Sequence, residues 1–265
     1  MREIKDVFNK KVNHENEFDV AAFYHENSEF TCLNVDSKLQ KISDFYLLKK
    51  DPLNVTKDLF PFCEKVELLK FKKKWDFSNL KKLLFNRRTR RSFAFNKLSL
   101  QKISDFLNMS YGRKTVGDNI LSTVPSGGAL FPIHLYLFSI NTALENGIYH
   151  YYFKNNYLDQ IKVVKNMGDD IGKYLMIENL ESKVPLYIVF TADLRDASLK
   201  YGNRAYRFAL IEAGHIAQNM SLIAENMKWN STLLGGFFDK DLAKMIGVNY
   251  NYEKPVYAIA LGESV

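Results

Sequence analysis

Residues 200–215 read KYGNRAYRFALIEAGH and bring several chemically capable side chains close together. Lys200 and Tyr201 stand side by side, Arg204 and Arg207 follow, and Glu212 and His215 are the polar exceptions in an otherwise apolar run. Free lysine and tyrosine titrate near ~10.4 and ~10, so neither is by itself a good base at neutral pH. Burial drives a lysine toward its neutral form, and nearby cations make a tyrosine lose its proton more easily. Placed in one site, with Arg204 close in sequence, Lys200 and Tyr201 could form a coupled acid/base pair. On an open surface the same dipeptide would do no chemistry. Buried polar groups cost free energy unless they are bonded or used, so this run is either a well-bonded core helix or the wall of a reactive site.

Four further segments could serve such a site. Arg87, Arg88, Thr89, Arg90 and Arg91 are consecutive. Guanidinium groups grip phosphate with two parallel hydrogen bonds and a hydroxyl adds a neutral donor, so the segment suits a phosphate monoester. A solvated basic turn or a nucleic-acid patch would have the same composition. Pro125, Ser126, Gly127, Gly128, Ala129 and Leu130 form a small-residue run. There a ligand could lie against backbone N–H donors, or the run could be a plain connector. Ala209, Ala213 and Ala217 recur every four residues, with Gly214 beside them. Such a stripe admits a second helix or a flat ring, and His215 next to it is either a bonded core histidine or a ligand. Gly235 and Gly236 follow Leu233 and Leu234, as if the backbone passes close to something flat.

The periodicities place these segments on elements. Residues 76–85 carry Phe77, Leu80, Leu83 and Leu84 on one side of a helix, and the arginine segment follows it. Ser99 is suited to cap a helix bearing Leu100, Ile103, Phe106 and Leu107. The run TVPSGGALFP is a loop leading into a strand over 133–138. Residues 148–153 and 157–164 flank a turn at Lys154, Asn155 and Asn156 and read as a hairpin. Residues 186–191 form an apolar strand, 206–227 a long helix, 239–246 a short helix stopped by Gly247, and 256–261 a closing strand. Helices and strands interleave around a hairpin, which predicts an α+β fold. No G-x-G-x-x-G follows a strand, so a Rossmann nucleotide site is not supported.

Composition bounds the class. The 265 residues are 46% hydrophobic and 25% charged, ordinary for a globular chain. A net charge of +7 favours anionic partners without choosing among them. Cys32 and Cys63 are too few for a disulfide scaffold, and no Cys/His cluster suggests a metal site. The start, MREIKDVFNKK, lacks the apolar stretch of a signal peptide, and no apolar run approaches the roughly 20 residues of a membrane span. The chain reads as cytoplasmic, with no membrane partner. No nucleic-acid motif accompanies the arginine segment, so no nucleic-acid partner is expected. Residues 1–75, broken by Pro52 and Pro61 and closed by Lys70, Lys72, Lys73 and Lys74, read as an N-terminal extension that contacts a partner or peptide or wraps a dimer. Residues 76–265 read as the main domain.

Taken together and in order, the phrases RRTRRSF, PSGGALFPIHLY, GIYHYY, KYGNRAYRFALIEAGHIAQNM, LLGGFFD and YAIALGE resemble the nitroreductase-like flavoproteins. Within that group they are most similar to the SagB-type dehydrogenases, the azoline oxidases of thiazole/oxazole-modified peptide biosynthesis. The likeness covers residues 85–265, and YHENSEF at 24–30 resembles a segment near the start of the same family. The resemblance implies an α+β fold with a mainly antiparallel central sheet between helices, in an intertwined homodimer with FMN at the subunit interface. It implies that Arg87, Arg88, Thr89 and Arg91 hold the cofactor phosphate. Pro125, Ser126, Gly127 and Gly128 then belong to a loop that approaches the flavin, usually from the partner subunit, and Gly235 and Gly236 lie near the isoalloxazine. Arg204 is counted with the cofactor-binding residues. Lys200 and Tyr201 match a catalytic Lys-Tyr pair that many wider relatives lack. Thr89 stands where the family usually has Ser and keeps the hydroxyl; Gly127 replaces a common Ala and Ala205 a common Gly. The implied reaction is FMN-dependent oxidation of thiazoline or oxazoline rings in a precursor peptide, with dioxygen reoxidising the flavin and a cyclodehydratase as partner. The same flavin site would also suit an NAD(P)H-dependent nitroreductase or a dehydroamino-acid reductase.

Overall fold

The structure, a computed structural model, describes residues 23–25, 78–116, 119–152, 156–176 and 184–265. Cys32, Cys63, Pro52, Pro61, the lysine run at 70–74, Asp76 and Phe77 at the start of the expected first helix, and the hairpin turn at Lys154 and Asn155 lie outside the described residues, as does all of the 1–75 extension except 23–25. Six strands form one antiparallel sheet: β3 (Ile133–Ser139), β4 (Gly147–Tyr152), β5 (Tyr157–Val163), β6 (Leu186–Asp193), β7 (Trp229–Leu234) and β8 (Glu253–Glu263). Their order is β5-β4-β3-β6-β8-β7. A separate ribbon pairs β1 (Arg113–Val116) with β2 (Asn119–Ser122).

Successive side chains on a strand point to opposite faces, and both faces of the sheet are apolar. On one face Leu135, Leu137, Ile188, Phe190, Ile259 and Leu261 belong to a core shared with the helices α2 (Leu100–Tyr111) and α5 (Arg204–Asn226). On the other, Tyr136, Phe138, Tyr187, Val189, Ala258 and Ala260 pack with α3 (Met167–Gly172) and α6 (Asp239–Ile246). The result is the expected α+β arrangement of an antiparallel sheet between helices.

Local chemistry sets the helix ends. Ser99 Oγ accepts from the Lys102 N–H at 3.3 Å and starts α2, whose Ile103, Phe106, Leu107 and Tyr111 are buried at helical spacing. α6 has Asp239 and Asp241 in its first turn and Lys244 in its last, the order the helix dipole favours. It stops at Gly247, where φ is 94° and the N–H returns to the Ala243 carbonyl. The alanine stripe of α5, Ala209, Ala213 and Ala217, is buried in this chain's own core, so helix and sheet approach closely there. His215 is exposed and is not a core residue.

The register places the ends of several strands together. Ile133 pairs with Ala192, Asp193 with Glu253, and Leu234 with Ala258. The chain therefore enters β3, leaves β6 and leaves β7 at one end of the sheet. The loop over 125–131, the helix α4 (Arg195–Tyr201) and the Gly235 and Gly236 pair all issue from that end. β3 and β7 are separated by β6 and β8, three inter-strand spacings or about 14 Å.

Candidate functional site

The arginine segment follows α1 (Ser78–Asn86) and is tied down by Arg90. The Arg90 N–H donates to the Ser231 carbonyl at 3.1 Å, and Thr232 Oγ1 donates to the Arg90 carbonyl at 2.5 Å. Arg90 Nη1 reaches Glu225 on α5 at 2.6 Å. Arg88 folds back on the helix it follows, donating to the carbonyls of Phe85 at 2.6 Å and Arg87 at 2.8 Å. Its Nη1 thereby caps α1, while Nε and Nη2 have no hydrogen-bond partner among the described residues. The Arg87 and Arg91 guanidinium groups have no hydrogen-bond or ion-pair partner among the described residues, and Thr89 is exposed beside them. Arg91 lines a cavity of about 470 Å³ with Met176, Thr232, Leu233, Leu234, Gly235 and Gly236. A Cβ at Gly235 would meet nothing within 4 Å, so packing within the described chain does not demand glycine there. Of the arginine segment only Arg91 lines this cavity, with Arg87 and Thr89 in the adjoining stretch; a guanidinium beside a backbone without side chains suits a phosphorylated flat ring, and the cavity is within the roughly 300–1,000 Å³ of small-molecule sites.

The second group gathers at the 125–131 loop. Gly128, Ala129 and Phe131 have φ of 63°, 55° and 51°. For the two non-glycine residues such angles cost on the order of 1–3 kcal/mol each and persist only when the surroundings enforce them. The Phe131 N–H donates to Ser126 Oγ at 2.9 Å, and the Ala129 N–H to the Ser126 carbonyl at 3.1 Å. The Arg113 guanidinium lies 4.4 Å from the centre of the Phe131 ring. Beneath the loop Glu212, only 2% exposed, accepts from the Tyr111 hydroxyl at 3.2 Å, from the Ser126 side chain and from the Ile133 backbone. Burial lifts the Glu212 carboxyl above its ordinary value although these donors pull it back. Burial, then the neighbouring Glu212 charge, raises Tyr111.

Against this loop lie Lys200 and Tyr201, in the last turn of α4. A Cβ built on Gly128 would fall 2.6 Å from Lys200 Nζ and collide with the Tyr201 hydroxyl. The two head groups therefore converge on one point that glycine alone leaves open. The Lys200 ammonium is 5.3 Å from the centre of the Tyr201 ring, which meets Phe208 edge-on at 5.0 Å. Gly127 faces the same Phe208. Pro125, Ser126, Gly127, Gly128, Lys200 and Tyr201 are thus one cluster, while Arg91, Gly235 and Gly236 share the other. The cavity at Arg91 includes no residue of the loop and neither Lys200 nor Tyr201. Arg204 joins neither group. The chain turns at Gly202, with φ 53°, and Arg204 then lines an open groove of about 570 Å³ with Tyr24, Tyr206, Arg207, Leu210 and Ile211.

Two polar networks went unread in the sequence. His25 Nδ1 meets the Tyr206 hydroxyl, and its Nε2 lies 3.6 Å from Asp239. His25 thereby bridges the first turns of α5 and α6; the Tyr-His pair of YHENSEF was its only signal. The second network has Glu253 Oε1 accepting from Thr191 at 2.5 Å and Tyr136 at 3.0 Å, with His134 at 3.3 Å. His134, Asp193 and Glu253 place ligand atoms within 4.8 Å of one another. Arg195 already grips Asp193 through Nε at 3.0 Å and Nη2 at 2.5 Å, so the group is a bonded ion network.

The Glu253 network makes stability depend on pH. Burial alone would raise this carboxyl, but His134, Thr191 and Tyr136 outweigh it and hold Glu253 below its usual range. The ionised form therefore stabilises the fold fully above about pH 4.3, the ordinary carboxyl value, and this contribution is lost as pH falls through the depressed one. In urea unfolding, Glu253→Gln is expected to have a lower midpoint than wild type at pH 7, with the two midpoints converging as pH drops below that range. An equal gap at both pH values would show that ionisation of Glu253 is not the cause.

The Nitroreductase family matches this sequence over residues 84–263. Among individual proteins, MJ1384 of Methanocaldococcus jannaschii, named as a nitroreductase, is 25% identical over 191 residues, covering 70% of this chain and 91% of that protein. McbC of Escherichia coli, named as a Microcin B17-processing protein, is 26% identical over 177 residues, covering 63% of each chain. Among solved structures, a nitroreductase from Anabaena variabilis superposes with a TM-score of 0.63 at 27% identity, over 78% of this chain and 42% of the other.

Proposed function

The chain belongs to the nitroreductase family, and on that premise we propose that it is an FMN-dependent oxidase converting thiazoline or oxazoline rings of a precursor peptide to thiazole or oxazole. The observation that carries this reading is the convergence of Lys200 Nζ and Tyr201 Oη on the Gly128 backbone. Ring oxidation must remove a proton as well as a hydride, and the pair offers a group to take that proton; the hydride step from a nicotinamide alone does not call for one. The similarity to a peptide-processing protein supports the same substrate class.

Arg87, Arg91 and Thr89 would hold the FMN phosphate, and Gly235 and Gly236 would let the ring lie on the backbone. When bound, FMN supplies a two-electron hydride acceptor that dioxygen reoxidises. The chain's own part is the proton. The azoline loses one ring hydrogen as hydride and one as a proton, the electron pair of the broken C–H bond becoming the new ring double bond. Lys200 and Tyr201 are the groups placed to take the proton, with a second copy of the chain covering the exposed Lys200 head. The arginine cavity and the Lys200 cluster share no lining residue in one chain. An intertwined homodimer would complete each site with the loop of a second copy. A cyclodehydratase partner would supply the azoline peptide, and residues 1–75 would contact that partner or the peptide.

The similarity to MJ1384 favours a second reading, an NAD(P)H-dependent nitroreductase or dehydroamino-acid reductase on the same flavin site. One anaerobic experiment separates the two. The FMN-loaded protein is given an azoline-containing peptide or NAD(P)H, each alone, and the flavin absorbance is followed. Bleaching by the peptide alone, with loss of two mass units per ring, is the expected result. Rapid bleaching by NAD(P)H with no response to the peptide would replace the oxidase by the reductase.

A further inference from the structure

We propose that Glu212 is a positioning residue: through Ser126 it holds the left-handed 128–131 stretch so that the Gly128 backbone stays against Lys200 and Tyr201. The inference rests on the proposed roles of that pair, but its first readout does not.

Glu212 sits on the buried side of α5, and three donors converge on it from three elements: the Tyr111 hydroxyl at the end of α2, the Ser126 side chain in the loop, and the Ile133 backbone at the start of β3. The Ser126 oxygen in turn accepts from the Phe131 N–H at 2.9 Å. A continuous chain of bonds therefore runs from Glu212 through Ser126 to Phe131. The loop is pinned on both sides of its left-handed residues, at 126 and at 133, and Gly128, Ala129 and Phe131 all lie between those pins. An L-residue abandons such angles when its restraints go, because the extended and right-handed regions are lower in energy.

The residue type suits the task. The groups that face Glu212 are a backbone N–H and two hydroxyls, and the Tyr111 hydroxyl also lies 3.2 Å from the Ile133 carbonyl; a carboxylate with two oxygens can accept from all of them. Its bonds are then charge-assisted. An amide of the same shape keeps only one acceptor oxygen and turns an N–H₂ toward a hydroxyl that must then reverse its donation, which weakens the charge-assisted set. A carboxyl this deeply buried is costly unless bonded, and its bonds here go to the loop and to the two elements flanking it. The reactive groups themselves lie on the far side of that loop. Relaxation at 128 would move the backbone that Lys200 Nζ and Tyr201 Oη touch, and with it the position of both heads.

The test uses the full-length, FMN-loaded protein and compares Glu212→Gln with wild type. Amide hydrogen exchange over 127–131 is expected to accelerate about tenfold, the scale of one lost buried hydrogen bond. Exchange within α2, α5 and the central strands should stay as in wild type. Turnover of the azoline peptide should show kcat falling about tenfold with KM unchanged, because the loop positions the reacting groups and not the remote part of the peptide. Unchanged exchange over 127–131 in Glu212→Gln would overturn the proposal. If Glu212→Gln does not fold, Ser126→Ala cuts the same chain one bond further on and decides by the same exchange readout. Lys200→Ala is run alongside. Full turnover in Lys200→Ala would sink the acid/base reading while leaving the exchange result standing. A dead Lys200→Ala with wild-type loop exchange in Glu212→Gln would sink only the role of Glu212.

Discussion

Lys200→Ala is expected to lower azoline oxidation by about 10²–10⁴-fold, the usual contribution of a positioned general base, while the protein keeps its fold and its FMN. The separation is possible because Lys200 is exposed among the described residues, its head meeting the Tyr201 ring and the Gly128 backbone, so its truncation opens no core cavity. It also lies outside the arginine cavity proposed for the cofactor. Tyr201→Phe gives the companion result. It keeps the edge-on ring contact with Phe208 and removes only the hydroxyl beside Gly128. If the two heads act as one acid/base unit, the double variant should lose little more than the worse single one, since groups that work together are strongly non-additive. Single-turnover flavin reduction under anaerobic conditions measures the step directly, free of reoxidation and product release. A Lys200→Ala protein that reduces its flavin with the peptide at the wild-type rate would remove Lys200 from the mechanism. Full additivity would divide the pair into two independent groups.

The sequence told most where local chemistry decides the structure. Ser99, Gly247 and the apolar spacing of α2 specify their helices without help from the rest of the chain, and each is found as read. It told least where polar residues are buried for tertiary reasons. β7 reads WNSTLL, in which three polar residues break the apolar run that marks a buried strand. Asn230, Ser231 and Thr232 are buried because they bond to the arginine segment: Asn230 donates to the Ser92 carbonyl at 2.6 Å, and Thr232 to that of Arg90. The helix α4 that carries Lys200 and Tyr201 was missed for a related reason. It is seven residues long and buries only Ala197, so it has no apolar face to reveal its period.

Adjacency in sequence also misled in one place and hid a division of labour in another. Arg204 is three residues from Tyr201, yet the turn at Gly202 sends it to a separate groove. In the segment RRTRR the four arginines look equivalent. Arg88 caps α1 through Nη1 and Arg90 anchors the segment to β7 and α5, whereas the Arg87 and Arg91 guanidinium groups have no partner among the described residues. Hydrogen-bond partners distinguish these roles, and partners are a property of the folded chain alone.

That division makes the second large effect specific. Replacing both Arg87 and Arg91 with Ala is expected to weaken FMN binding by about 10²–10⁴-fold, taking about 1.5–3 kcal/mol for each hydrogen bond to a charged group. Arg88→Ala should change FMN affinity less, because Nη1 ties its guanidinium back to the carbonyls of Phe85 and Arg87. Arg90→Ala is a poor probe, since it would release the segment from Glu225 as well as remove a charge. Flavin fluorescence titration of the apoprotein reads the affinities, and riboflavin is the control because it has the ring and ribityl chain without the phosphate. Wild type should prefer FMN strongly, and the double variant should bind both flavins with nearly equal affinity. Raising ionic strength should weaken FMN binding to wild type, because Arg91 is exposed and its attraction is screened, and should scarcely affect the double variant. If the double variant keeps the wild-type preference for FMN, the phosphate is held elsewhere, and the open groove at Arg204 and Arg207 becomes the place to look.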